Sequence, residues 1–140
     1  MTIEMLNRYL LDTNVCIELL RGNKTVRKKI EEAGPQHCKI SEITVAELYY
    51  GASKSTRSFE KKQDIRFLLK LFDLALISPA LAEYGEIKAY LEQEGKRIDE
   101  FDLLIGATAI EGDMILVTNN TKHLSRIPGL RLEDWTKVEP

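Results

Sequence analysis

Two short apolar runs constrain this chain more than anything else in it. Tyr9-Leu10-Leu11 stops at Asp12-Thr13-Asn14, and Ile115-Leu116-Val117 stops at Thr118-Asn119-Asn120. A strand with no polar position along it has no face for water, so it must be covered on both sides. The intervening sequence supplies covers. Helices are predicted over 14–21, ended by Gly22, and over 25–33, broken by Gly34-Pro35. Another begins at Thr44 and runs toward Gly51. The stretch 58–72 reads as a long amphipathic helix with Phe59, Phe67, Leu68, Leu71 and Phe72 on one broad face. Pro79 suits the start of a helix reaching about residue 92, and Asp99 opens another over 99–111. Strands are expected at 8–11, 38–40, 74–77, 114–117 and, at one edge, 130–132.

Strands that alternate with helices favour a parallel sheet covered on both faces. Sites in such sheets form beyond the carboxyl ends of the strands. If both apolar strands are central, their two polar clusters open on the same edge.

Composition agrees with one globular domain over 1–140. The chain has 140 residues, 44% of them hydrophobic and 30% charged. A chain of this length buries about 70% of its unfolded surface and needs no staples. Cys16 and Cys38 make no disulfide framework, and His37 and His123 stand far apart, so zinc-type clustering is absent. The apolar runs are too short to cross a bilayer and no secretory signal is read, so the expected compartment is the cytosol. A net charge of −2 argues against a basic coat for nucleic acid. It leaves open an enzyme that meets phosphates through metal ions.

Three acids stand in apolar surroundings, and each has a plain structural reading beside a functional one. Asp12 either caps the first helix, a task Thr13 or Asn14 would do equally well, or faces a site. Glu47 either closes a capping box with Thr44 or projects as a functional carboxylate. Asp102 either sits in the first turn of a helix capped by Asp99, favoured by the dipole, or serves chemistry. Gly106 shares roughly its face and lets something approach closely. Asn119 and Asn120 suit a turn. Should Asp12, Glu47 and Asp102 converge, their repulsion would raise some of their pKa values and invite a hard divalent cation. Oxygen donors without nearby Cys or His favour Mg²⁺ or Mn²⁺ over zinc. Such an ion activates water and stabilises charge on a phosphodiester.

The segments 9–14, 43–51, 102–107 and 117–120 together resemble the motifs of PIN domains, and more closely those of VapC-type toxins of toxin–antitoxin pairs. The ending Ile127-Pro128-Gly129-Leu130 with Glu133-Asp134-Trp135 is similar to that subgroup too, so the resemblance spans about 8–135. It implies an α/β three-layer sandwich, a small parallel sheet flanked by helices. It also implies a metal-dependent endoribonuclease. By this resemblance Asp12, Glu47, Asp102 and Asn120 surround Mg²⁺, with Asp12 and Asp102 as ligands and Mn²⁺ as an alternative ion. Asn120 stands where many PIN domains have Asp, which weakens a two-ion arrangement. Thr118 would orient a water or ligand, and Asp99 either caps or supplies an outer carboxylate. A homodimer and a VapB-type antitoxin laid over the pocket are further implications, with no membrane involved.

Basic residues available to RNA are Lys24, Arg27, Lys28, Lys29, Arg57, Lys61, Lys62, Lys96 and Arg97, although Arg27 to Lys29 reads first as a solvated face. Tyr49 and Tyr50 are expected to pack rather than stack on bases. Leu19, Leu20, Phe67 and Leu71 are either core residues or contacts for a partner helix. Competing readings are a catalytically silent PIN-like binding module and a nuclease acting on DNA. An aspartate-nucleophile phosphatase is disfavoured, because the second acid such sites need falls on Asn14.

Overall fold

The structure, a computed structural model, describes residues 6–138. Residues 1–5 and 139–140 of the expected 1–140 span lie outside the described residues. Five parallel strands form one sheet: β1 (Tyr9–Leu11), β2 (Cys38–Ser41), β3 (Asp73–Ala75), β4 (Ile115–Val117) and β5 (Leu132–Glu133). Their spatial order is β3-β2-β1-β4-β5. The helices are α1 (Thr13–Leu20), α2 (Lys24–Ala33), α3 (Glu42–Ser53), α4 (Ser58–Leu71), α5 (Leu81–Gln93), α6 (Glu100–Glu111) and α7 (Thr121–Leu124).

The two apolar runs are neighbours at the centre. Tyr9, Leu10 and Leu11 stand beside Ile115, Leu116 and Val117, residue for residue. Alternate side chains leave the sheet on opposite faces. Leu10 and Leu116 enter a core with Ile87, Leu91, Leu103, Ile105, Leu124 and Ile127, under α5, α6 and α7. Leu11, Ile40 and Val117 enter a second core with Val15, Val26, Ile30, Leu48, Ile65 and Leu68, under α1 to α4. Each such fully buried aliphatic side chain contributes about 1.5–3 kcal/mol. The result is the expected α/β three-layer sandwich. β1 has β2 on one flank and β4 on the other, so the chain changes direction across the sheet at this strand. Crevices open at such points, at the carboxyl ends of the strands.

Several local expectations are corrected. The third strand is Asp73–Ala75, not 74–77, and Pro79 lies in a 3-10 turn, Ser78–Ala80, ahead of α5. The edge strand is Leu132–Glu133 rather than 130–132. Phe59 and Phe67 do not join a common buried face of α4; they are 76% and 54% exposed, and Ile65 and Leu68 make the contact with the core. Leu71 is also exposed, whereas Leu19 and Leu20 pack against the core. Tyr50 does not pack inward either: it is exposed, with the Lys54 ammonium 4.6 Å from its ring centre. Helix patterns fix a period, but where apolar residues ring the whole helix they leave the inward side to tertiary packing.

Cys16 and Cys38 are free and buried. Burial pushes both thiols well above their ordinary range, Cys38 to about 12, which keeps them protonated. Among the described residues, no helix is long and apolar enough to cross a membrane.

Candidate functional site

The carboxyl ends of β1 and β4 bring the two polar clusters together. Asp12 follows β1 directly, and its backbone N–H donates to the Val117 carbonyl at 2.9 Å, so the ladder carries it to the end of β4. Asp12 is only 3% exposed and Thr118 is fully buried. The Thr118 hydroxyl donates to Asp12 Oδ2 at 2.8 Å across 106 residues of sequence. Asn14 Nδ2 donates to the same oxygen at 3.1 Å, and the Thr13 backbone N–H donates to Oδ1 at 2.8 Å. Asp12 is therefore both the cap of α1 and the hydrogen-bond partner of the second polar cluster.

Asn14 ties the clusters together. Besides its bond to Asp12, its Nδ2 lies 3.3 Å from Thr118 Oγ1, and its Oδ1 accepts the Asn119 backbone N–H at 3.0 Å. The sequence reading gave Asn14 no place in the site. Its signal was present, since it stands in the first polar cluster two residues after Asp12.

Glu47 is not part of a capping box. Ser41 caps α3, with its hydroxyl accepting the Ile43 N–H, and Thr44 lies inside the helix, fully buried. Six residues past the cap, Glu47 projects toward α1. The Thr13 hydroxyl lies 2.7 Å from Glu47 Oε1 and 3.1 Å from Thr44 Oγ1. Thr13 is thus a second hydrogen-bond partner of these acids that the sequence did not single out.

Asp102 comes from α6. Asp99 caps that helix as expected, accepting the Phe101 and Asp102 N–H groups. Asn120, which precedes α7, donates from Nδ2 to Asp102 Oδ2 at 3.2 Å. Gly106 does admit a close neighbour, but that neighbour is core: a Cβ there would lie 2.5 Å from Ile127 Cδ1.

Asp12, Glu47 and Asp102 feel one another's charge. Burial, and then Asp12, Asp99 and Glu47 in turn, raise the Asp102 carboxyl from 3.8 to about 6, against the bond from Asn120. Glu47 is raised chiefly by burial and further by Asp12 and Asp99, with the Thr13 bond opposing. Asp12 is raised by burial, against its three hydrogen bonds. Among the described residues, no lysine or arginine pairs with any of these acids; the ion pairs lie on outer surfaces, such as Lys88 with Glu100 and Arg97 with Glu92. Among the described residues, no group of three Asp, Glu, His or Cys side chains stands close enough together to hold a metal ion. The donor set nevertheless fits a hard divalent cation: carboxylate oxygens, surplus negative charge and no competing cation.

Beside Glu47 a groove of about 390 Å³ runs between α1, α3 and α4, lined by Ile17, Leu20, Leu48, Arg57, Lys61 and Ile65 among others. Arg57 is drawn toward Glu60 on the same helix.

The chain is 39% identical to Ribonuclease VapC2 of Rickettsia felis, covering 92% of this chain and 98% of that one. It is 34% identical to the tRNA(fMet)-specific endonuclease VapC of Shigella flexneri, with the same coverage of both chains. Its fold matches the crystal structure of VapBC2 from Rickettsia felis bound to a DNA fragment from their promoter, with a TM-score of 0.86 at 35% identity over 91% of this chain and 98% of that one. Residues 9–130 match the family described as the PIN domain. With both strand ends, the acids beyond them and the whole sheet order in place, the chain belongs to the PIN-domain family, among its VapC members.

Proposed function

We propose that this protein is a metal-dependent endoribonuclease that acts as the toxin of a toxin–antitoxin pair. One observation carries the chemistry. Burial raises the carboxyls of Asp12 at β1's end, Glu47 on α3 and Asp102 on α6, Asp12 further raises the other two and Glu47 further raises Asp102, and among the described residues none of the three has a basic partner. Such an arrangement is costly unless a cation offsets it. The relatives' names, a ribonuclease and a tRNA endonuclease, support RNA as the substrate.

On this reading Asp12 and Asp102 hold Mg²⁺, with Mn²⁺ as a substitute. The ion, when bound, supplies a Lewis acid that offsets phosphate charge and eases deprotonation of water. The chain's own residues supply the rest. Thr118, Asn14 and the Thr13 N–H keep Asp12 in one orientation. Thr13 occupies one oxygen of Glu47, leaving the other to orient the attacking water and take its proton. A carboxylate raised by burial is the better proton acceptor. Asp99 holds the start of α6 and adds negative charge from outside the cleft.

The antitoxin part rests on the groove beside Glu47 and on the relative solved as a VapBC assembly. A partner segment lying there would end close to the acids, and a basic side chain from it would be attracted to them. The protein is proposed to work as a single domain, as a homodimer, in the cytoplasm.

The test is cleavage by the purified protein. It should cut RNA with Mg²⁺ and stop in EDTA, and Asp12→Asn should lose at least 100-fold in rate with its circular dichroism unchanged, in line with losing a metal-holding charge. Cleavage by Asp12→Asn at the parent rate would remove the assignment. DNA digested in parallel reads out the rival substrate.

A further inference from the structure

His123 is exposed on α7, and neither the acids nor the mechanism above uses it. Its Nδ1 nonetheless lies 2.8 Å from Asn120 Oδ1. Asn120 in turn donates from Nδ2 to Asp102 Oδ2 at 3.2 Å, and its backbone N–H donates to Thr118 Oγ1 at 3.0 Å.

Donor and acceptor rules give this short chain a direction. An ionised carboxylate only accepts, so the amide must turn its NH₂ toward Asp102. Its carbonyl then faces the imidazole. A carbonyl also only accepts, so His123 must carry its proton on Nδ1. The opposite amide orientation would set a carbonyl oxygen against the carboxylate and repel it.

We propose that His123 is a positioning residue: it locks the Asn120 amide so that Asn120 steadies Asp102 instead of offering its own carbonyl to a metal ion. This rests on the reading of Asp102 as a metal-holding residue. It changes the role that family resemblance implies for Asn120, from one member of the ring around the ion to the group that holds a ligand in place. One oxygen of Asp102 is occupied by the amide, and among the described residues no hydrogen bond takes up the other. Outer partners of this kind tune both the orientation and the basicity of a ligand.

Three substitutions separate this role from a mere surface contact on α7. In His123→Asn, the side-chain Nδ2 takes the place of the imidazole Nδ1 and still donates to Asn120. In His123→Gln the amide nitrogen takes the place of Nε2, and the donor is lost. His123→Ala has no donor at all. Each is read three ways: the Asn120 side-chain amide signals in the NMR spectrum of the metal-free protein, the affinity for Mn²⁺ alone by calorimetry, and kcat against KM on RNA.

The expected result is that Ala and Gln shift and broaden the Asn120 amide signals, weaken Mn²⁺ binding about tenfold and lower kcat about tenfold. KM should stay within about twofold, since the substrate is not touched. Asn should restore all three to near the parent. If all three variants match the parent, or if Asn behaves like Gln and Ala, the positioning role is overturned. A parent that cuts no RNA, with amide signals and Mn²⁺ affinity still responding as described, would overturn the nuclease reading and leave this one standing.

Discussion

Replacing Asp102 with asparagine should stabilise the metal-free protein at neutral pH. Asp102 is partly buried in the first turn of α6, and burial together with Asp12, Asp99 and Glu47 raises its carboxyl from 3.8 to about 6. The folded protein therefore holds this proton more tightly than the unfolded chain does. The resulting contribution to stability is complete below pH 3.8, decays as pH rises, and is gone above about pH 6. At 1.36 kcal/mol per pH unit, the interval is worth at most about 3 kcal/mol. Water reaches part of the side chain, and screening reduces the figure to about 1.5 kcal/mol. The carboxylate also gains about 0.5 kcal/mol from the dipole of α6, which asparagine gives up. The bond from Asn120 survives, because an asparagine carbonyl accepts it as well.

Asp102→Asn should thus be more stable than the parent by about 1 kcal/mol at pH 7.5 in EDTA, a rise in Tm of about 2–4 °C. The difference should nearly close at pH 4.0, where the parent carboxyl is already neutral. Urea denaturation at the two pH values reads both numbers. Adding Mg²⁺ at pH 7.5 should reverse the order, since only the parent gains from binding. A variant less stable than the parent at pH 7.5, or ahead by the same margin at both pH values, would refute the claim that surplus negative charge strains this cleft.

Three further outcomes are expected. Mn²⁺ affinity, measured by calorimetry, should climb steeply between pH 5 and 7 as Asp102, raised to about 6, gives up its proton; a flat profile would exclude Asp102 as a ligand. Asn14→Ala removes the tie between Asp12, Thr118 and Asn119; it should cost about 2 kcal/mol in urea denaturation and slow RNA cleavage at least tenfold. Gly106→Ala puts a methyl group 2.5 Å from Ile127 Cδ1. Overpacking should outweigh the better helix propensity and lower stability by about 1–2 kcal/mol, with RNA cleavage unchanged at a temperature where the fold is intact.

The sequence by itself determined the layered architecture. Leu10-Leu11 and Ile115-Leu116-Val117 have no polar position, and a strand without one can exist only between two covers. Asp12 and Thr118 mark where those strands end, because an unpaired polar group cannot continue into a dry core. The acids, too, were legible as polar residues in apolar surroundings, and the ordered motifs tied them to one family.

Tertiary structure decided what each of them meets. Glu47 read locally as half of a capping box, yet Ser41 takes the cap and Thr13, 34 residues away, takes the carboxylate. Asn14 finds Thr118 and Asn119 only across the sheet, and Asn120, which His123 meets three residues away, reaches Asp102 only from another element. Phe59 and Phe67 follow helical spacing but face out, since the inward side of α4 is set by what it meets. A periodic pattern reports how often a residue recurs on a face. Which faces meet, and which of several hydrogen-bond partners a polar group finds, depends on chain segments that only the closed sheet brings within reach.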